Sequence, residues 1–211
     1  LAQTGVPHIS VYSLTIEPFT SFALRKVQRN EDKEASDYDL TNEILSSYGL
    51  ERYEVSSHAK RGHESKHNQV YWGGDCFLAL GPSAAGFLEA RSAEEGVWNE
   101  NQTRHPSPAT YHPFRYTNPP IKSWLNGAAP ETIEITPERY VQDVLMTGLR
   151  TRPGVDVERL EQRSGIDILT RYKDVIRRFM KHELWEVKEN HLVGTEKGLL
   201  QLNGIVSRFL E

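Results

Sequence analysis

Hydrophobic periodicity stops across residues 91–120, where Pro106, Pro108, Pro113, Pro119 and Pro120 fall among Asn, Thr, His and Glu. Proline fixes φ and removes a backbone donor, so such a stretch reads as an insertion or linker rather than a helix or a central strand. The 211 residues are long enough for two small cores, and the break predicts two packed units rather than one continuous sheet. The expected divisions are residues 1–90, a Pro-rich linker over 91–135, and a second domain over 136–211.

Before the break the order is strand, helix, strand. His8 to Ile16 alternates larger apolar with polar or small side chains and ends at Glu17-Pro18, which predicts a strand. The charged run Gln28 to Glu34 leads into a helix whose uneven apolar face is Tyr38, Leu40, Ile44, Leu45 and Tyr48, and Gly49 stops it. A short strand from Arg52 to Ser56 follows, so a βαβ unit with a parallel pair and a right-handed crossover is expected. Ser57 to Lys66 reads as a polar loop, and Phe77 to Leu80 as a third strand ending at Gly81-Pro82.

After the break the period changes. Thr136-Pro137-Glu138 supplies an N-cap, a proline at the first helical position and an early acid, with Val141, Val144, Leu145 and Leu149 as the buried stripe. Asp156 caps a short second helix carrying Val157 and Leu160 and closed by Gly165. Ile168, Tyr172, Val175, Ile176, Phe179 and Met180 fall at helical spacing in a third. Leu184 to Val187 and His191 to Val193 flank Lys188-Glu189-Asn190 as a β-hairpin, and a last helix runs from Thr195 through Leu199, Leu202, Val206 and Phe209. Helices, hairpin and closing helix together read as a winged helix.

Charge and cysteine content exclude several functions. The formal net charge is −4, and the third helix's Arg171, Lys173, Arg177, Arg178 and Lys181 are offset by Asp167, Asp174, Glu183, Glu186 and Glu189. A solvated face is expected there, with no nucleic-acid partner, because backbone affinity needs clustered uncompensated cations. No apolar run approaches the roughly 20 residues that span a bilayer, so no integral membrane segment is expected. Leu1 to Pro7 has neither a basic nor an apolar leader region, and the first residue is not Met. The chain therefore reads as a fragment or processed product, cytoplasmic, or organellar if a targeting segment lies upstream. Cys76 is the sole cysteine, which leaves no disulfide framework, zinc ribbon or thiolate-held [4Fe-4S] cluster within the chain. Beside an apolar strand and without a cationic neighbour, it is expected to be a buried, inert thiol.

The most chemically loaded segment is His67-Asn68-Gln69-Val70-Tyr71-Trp72, which sets an imidazole, an amide and two aromatic rings side by side in a Gly-flanked stretch. Imidazole ligates haem iron and aromatic rings cover porphyrin faces, yet a loop histidine in such company can equally pack locally. His58, His63 and His67 lack the spacing of a helical metal pair, and His105 and His112 read as surface-loop residues. Gly81-Pro82-Ser83-Ala84-Ala85-Gly86 permits close approach of a ligand to backbone and also fits a tight turn; the string does not choose. No Gly-x-Ser-x-Gly elbow occurs.

Taken in order, His8 to Thr20, Tyr53 to Ser56, His67 to Trp72, Leu80 to Gly86, Arg115 to Asn118, Val144 to Arg150 and Gly154-Val155-Asp156 resemble the C-terminal half of HemW, the haem chaperone family of radical SAM proteins related to oxygen-independent coproporphyrinogen oxidase. The resemblance implies an α/β fold: the C-terminal portion of a partial (β/α)6 radical SAM barrel, followed by a small winged-helix-like α+β domain. It implies a [4Fe-4S] cluster and S-adenosylmethionine in the full-length protein; the family's cluster cysteines are not in this chain, which alone is not expected to be catalytic. Carried over, His67 is the haem contact and proposed iron ligand, Asn68, Tyr71 and Trp72 shape the site, and Thr15 and Ala85 align with positions that contact S-adenosylmethionine. The oxidase branch carries an Arg-Asn-Phe-Gln-Gly-Tyr-like string where this chain has His-Asn-Gln-Val-Tyr-Trp, so the expected function is binding haem and handing it to an acceptor haemoprotein. The alternatives are a coproporphyrinogen III oxidase and, more weakly, a winged-helix nucleic-acid binder. Absence of a barrel partner for strand 8–16 leaves an unpaired edge and predicts poor solubility or a dimer.

Overall fold

Alternation at His8 does make a strand, but it pairs only over His8–Ser10 (β1), with Val11 N adding one bond to Ser56 O before residues 11–17 leave the sheet. A one-turn helix, Ser21–Leu24 (α1), follows, capped by Thr20 Oγ1 on Ala23 N. The long helix predicted from the charged run is Glu31–Ser47 (α2); Asn30 Oδ1 caps it by accepting from Lys33 N at 2.9 Å, and Gly49 ends it at φ 72°. Leu45 and Leu50 are buried beneath it, while Leu40 and Ile44 stay exposed.

Glu51–Arg52 (β2) and Ser57–Ala59 (β3) complete a sheet ordered β1-β3-β2, both outer strands antiparallel to β3. The expected direct parallel pair is therefore corrected: β1 and β2 run parallel with β3 between them. The cause is the short link 53–56, which folds back with Tyr53 N donating to Ser57 O and sends the next residues into the centre. Ser57, His58 and Ala59 are all buried, although their composition reads as loop. His58 Nε2 is satisfied there at 2.8 Å from Asn42 Oδ1, and Arg52 donates to the Tyr38 hydroxyl, which itself donates to Val55 O at 2.9 Å.

These elements make up one unit, Leu1–Ser65; Lys66–Glu211 form a second. The computed structural model describes residues 1–90, 111–202, 204 and 209. His105, Pro106, Pro108 and Val206 lie outside the described residues.

The second unit begins with a helix, Lys66–Trp72 (α3), where a loop was expected. Phe77 to Leu80 supplies only one isolated bridge, Phe77 to Phe87, and the strand proper is Ala85–Ala90 (β4). It pairs with His112–Thr117 (β5); beyond the short helix Ile121–Leu125 (α4), Glu131–Glu134 (β6) completes an antiparallel sheet in the order β4-β5-β6. A strand thus lies inside the stretch read as aperiodic. Pro113 fits in it because its carbonyl, and hence its donor-less nitrogen, face the side where β6 ends: Pro113 O accepts from Ile135 N, just past the last ladder pair, Phe114 with Glu134.

From Thr136 the elements follow the expected caps. Thr136 Oγ1 accepts from Arg139 N at the start of Pro137–Gly148 (α5), whose buried side includes Tyr140, Val141, Val144 and Leu145. Val155–Asp156 (β7) leads into Val157–Ser164 (α6), capped by Asp156 Oδ1 on Arg159 N and closed by Gly165 at φ 70°. The third helix is two, Ile168–Arg171 (α7) and Lys173–Lys181 (α8), broken where Tyr172 leaves helical dihedrals and meets the Phe209 ring edge-on. Trp185–Lys188 (β8) and His191–Gly194 (β9) form the predicted hairpin; Glu189 and Asn190 both take positive φ, the two-residue turn that matches strand twist. The sheet order is β7-β9-β8, and Glu196–Leu200 (α9) packs back on it. Val141, Leu145, Leu149, Leu160, Ile168 and Leu192 form its fully buried centre. No described helix is long and apolar enough to cross a membrane.

Candidate functional site

Four residues per near-turn of helix put His67 and Tyr71 on one face of α3 and Asn68 and Trp72 on the adjacent one. The rings of His67 and Tyr71 meet edge-to-face with centroids 4.7 Å apart, and His67 is exposed. From Tyr71 an unbroken line of rings runs inward: Phe77 at 4.2 Å, Phe87 a further 6.3 Å on, Tyr140 stacked at 6.2 Å, and Tyr111 edge-on to Tyr140 at 5.1 Å. An exposed imidazole thus stands beside the first ring of an aromatic line.

Tyr71, Phe77, Phe87 and Tyr140 of that line border a pocket of about 140 Å³ together with Arg115 and Asp143. Cross-strand register places Phe87 opposite Arg115, hence on one sheet face, turned towards α5. Trp72 points elsewhere. The Arg150 guanidinium sits 5.8 Å from its ring centroid, and it borders a separate cavity of about 120 Å³ with Asp156, Arg159 and His191. Of the four predicted residues, the fold brings His67 and Tyr71 together and turns Trp72 away, with Asn68 half-buried on the Trp72 side.

The C-terminal end of α3 is seated on α5 and α6. Gly74, at φ 67°, accepts at its carbonyl from Tyr140 Oη and Arg163, each at 3.2 Å, and a Cβ there would strike Val144. Asp75 Oδ1 accepts from Arg159 and, at 3.1 Å, from Arg163. Gly148 lies under the Trp72 carbonyl, where a Cβ would come within 3.1 Å. Arg163 also lies 5.5 Å from the Tyr111 ring centroid; burial, with Tyr140 beside it, pushes the Tyr111 phenol far above its ordinary range and keeps it protonated. Sequence reading singled out none of Asp75, Tyr140, Arg163, Arg115 as a side chain, or Asp143. The Asp75 pairs span 84 and 88 residues, and nothing local announces them.

Cys76 is exposed rather than buried, because Phe77, not Cys76, turns into the ring stack. Gly81 to Ala84 is held as a turn: Asn118 Nδ2 donates to Gly81 O at 2.8 Å, Ser83 N to Pro119 O at 3.1 Å, and Tyr116 Oη accepts from Ala79 N at 2.6 Å. The open side of Gly86 is filled by the Tyr116 ring. Thr15 is exposed between β1 and α1 in the first unit, and Ala85 is exposed at the start of β4 in the second. For an iron-sulfur cluster the donor set does not fit: one thiol is present, and no group of three or more His, Cys, Asp or Glu stands ready for a metal among the described residues. For haem iron the fit is better, since the exposed His67 supplies a nitrogen donor next to apolar rings.

The fold class follows from the architecture. Among the described residues it is a mixed α/β assembly of small sheets and helices with no closed barrel, and it superposes on coproporphyrinogen III oxidase (HemN) from Escherichia coli, a radical SAM enzyme, with a TM-score of 0.66 over 99% of this chain and 49% of that one, at 16% identity. Residues 135–200 match the HemN C-terminal domain. Heme chaperone HemW of Lactococcus lactis is 28% identical over 219 residues, covering 99% of this chain and 52% of the relative; that of Bacillus subtilis is 26% identical over 215 residues, covering 96% and 51%. Residues 135–200 thus match the HemN C-terminal domain, and the chain is similar in sequence to the HemW heme chaperones and in fold to the C-terminal half of HemN. It spans about half the length of these curated relatives.

Proposed function

We propose that the protein containing this chain binds haem through α3 and hands it to an acceptor haemoprotein. The observation that carries the reading is the exposed His67 imidazole, edge-on to Tyr71, which itself lines an aromatic pocket. A neutral imidazole nitrogen donates to iron, and the Tyr71 and Phe77 rings offer apolar cover on one side. The pocket is smaller than the roughly 300–1,000 Å³ typical of enclosed ligand sites, so the macrocycle would lie against the surface with only an edge inside. A one-sided site covers less of the ring than an enclosing haem pocket does, and transfer to such an acceptor then runs downhill. That two relatives are named heme chaperones supports the same reading.

On this account residues 1–90 are the last part of a radical SAM barrel, 136–211 the winged-helix-like domain, and 91–135, which carry β5, α4 and β6, the connection between them. The cluster and S-adenosylmethionine belong to the longer protein, with Thr15 and Ala85 as contacts for the latter, and the setting is the cytoplasm or an organelle. Titration of the chain with haemin, followed in the Soret region, tests the reading. His67→Ala is expected to shift the Soret band and weaken binding about tenfold or more, in line with loss of a charge-transfer-competent donor, while circular dichroism stays unchanged. An unaltered spectrum and affinity would remove His67 from the site.

A further inference from the structure

The pocket beside Tyr71 has one wall that haem iron ligation leaves unused. Arg115 Nη2 lies 2.6 Å from Asp143 Oδ2, and Arg139 Nε lies 3.1 Å from Asp143 Oδ1. Both oxygens of a single, mostly buried carboxylate are therefore committed to two guanidiniums, and the trio keeps one net positive charge. The two arginine side chains remain 45% and 53% exposed, and no other hydrogen bond or ion pair engages them among the described residues. Each guanidinium has five donors in a fixed fork, so several still face outward. Asp143 holds the Arg115 fork in place, which lowers the cost of ordering it around a ligand.

The surroundings are apolar. Tyr71, Phe77 and Phe87 line the same pocket, and Ile133, opposite Arg115 in register and so on the same sheet face, is 57% exposed. A flat apolar shelf with one surplus guanidinium at its edge matches a flat aromatic ligand that carries a carboxylate at its margin. Resting on the haem reading above, we propose that Arg115, oriented by Asp143, binds a propionate carboxylate of haem and so sets which porphyrin edge enters the pocket.

The test compares haemin with haemin dimethyl ester, which keeps the iron and the ring but masks the carboxylates. The chain is expected to bind the ester about tenfold or more weakly, the size of a lost charge-assisted hydrogen bond. Arg115→Gln is expected to weaken haemin to the ester's level and leave the ester unaffected, whereas Arg171→Gln, remote on α7, changes neither. Equal binding of ester and haemin by the unaltered chain overturns the assignment without touching the haem reading, and needs no variant to fold. Failure of the unaltered chain to bind haemin at all overturns both.

Discussion

A carboxylate just past the Gly73-Gly74 pair fixes where α3 ends. Asp75 gathers Arg159 and Arg163, and Arg163 reaches on to the Gly74 carbonyl and, at 3.0 Å, to the Tyr140 hydroxyl, so the His67 helix is anchored by charges from α6. Breaking a partly buried arginine-carboxylate cluster leaves unpaired charge, which is why Asp75 matters more than an isolated surface pair would. Next to it, Cys76 is exposed as a residue, yet partial desolvation of its sulfur and the Glu89 carboxylate hold the thiol above its ordinary range. A raised thiol holds less thiolate at a given pH, so alkylation by iodoacetamide at pH 8 is predicted to be slower than that of free cysteine, with the rate rising only at higher pH. A rate equal to or above that of free cysteine would contradict this. At this scale the sequence marked His67 and Tyr71 by residue type but not as neighbours, since their i, i+4 contact exists only because α3 is a helix where a loop was expected. Asp75 and Asp143 were not, because their meaning lies in arginines on other elements.

Elements with local punctuation were the readable ones. Thr136, Asp156 and Gly165 mark the ends of α5 and α6 because a cap is decided by one side chain and the next turn of backbone. The hairpin β8–β9 is equally local. What sequence could not convey was pairing decided at a distance: Ser57-His58-Ala59 becomes a central strand only because β1 and β2 flank it, and Ala85–Ala90 wins over Phe77–Leu80 because β5 offers it a full partner. The break at Tyr172 depends on Phe209, also far along the chain. Packing of α9 against the strand entrance makes a sharp prediction. A Cβ on Gly198 would collide with the Leu184 backbone carbonyl, which cannot swing aside as a flexible side chain can. Gly198→Ala is predicted to destabilise the second unit by about 1–3 kcal/mol, read as a lower urea midpoint; an unchanged midpoint would show that α9 docks differently.

On the scale of the whole molecule, the first unit leaves more large apolar side chains uncovered for its size than the second. In Leu1–Ser65, Phe19 is 97% exposed, and Tyr12, Leu14, Leu24, Leu40 and Ile44 are exposed with it. Such a surface seeks a partner, so the isolated chain is predicted to self-associate, its mass by light scattering rising with concentration; a constant monomer mass at high concentration would contradict that. The second unit leaves Leu78, Leu80 and Leu125 exposed but has two buried apolar layers, the ring stack behind Tyr71 and the centre around Leu145 and Leu192, and between them holds the His67 helix to the HemN C-terminal domain. Under the proposed function, this helix recognises haem through its iron. Titration of the chain and of His67→Ala with haemin and with iron-free protoporphyrin IX tests it most directly. The substitution is expected to weaken haemin and leave the iron-free ring unchanged, since only the metal uses the imidazole; an equal effect on both, or on neither, would remove iron ligation from the role of His67.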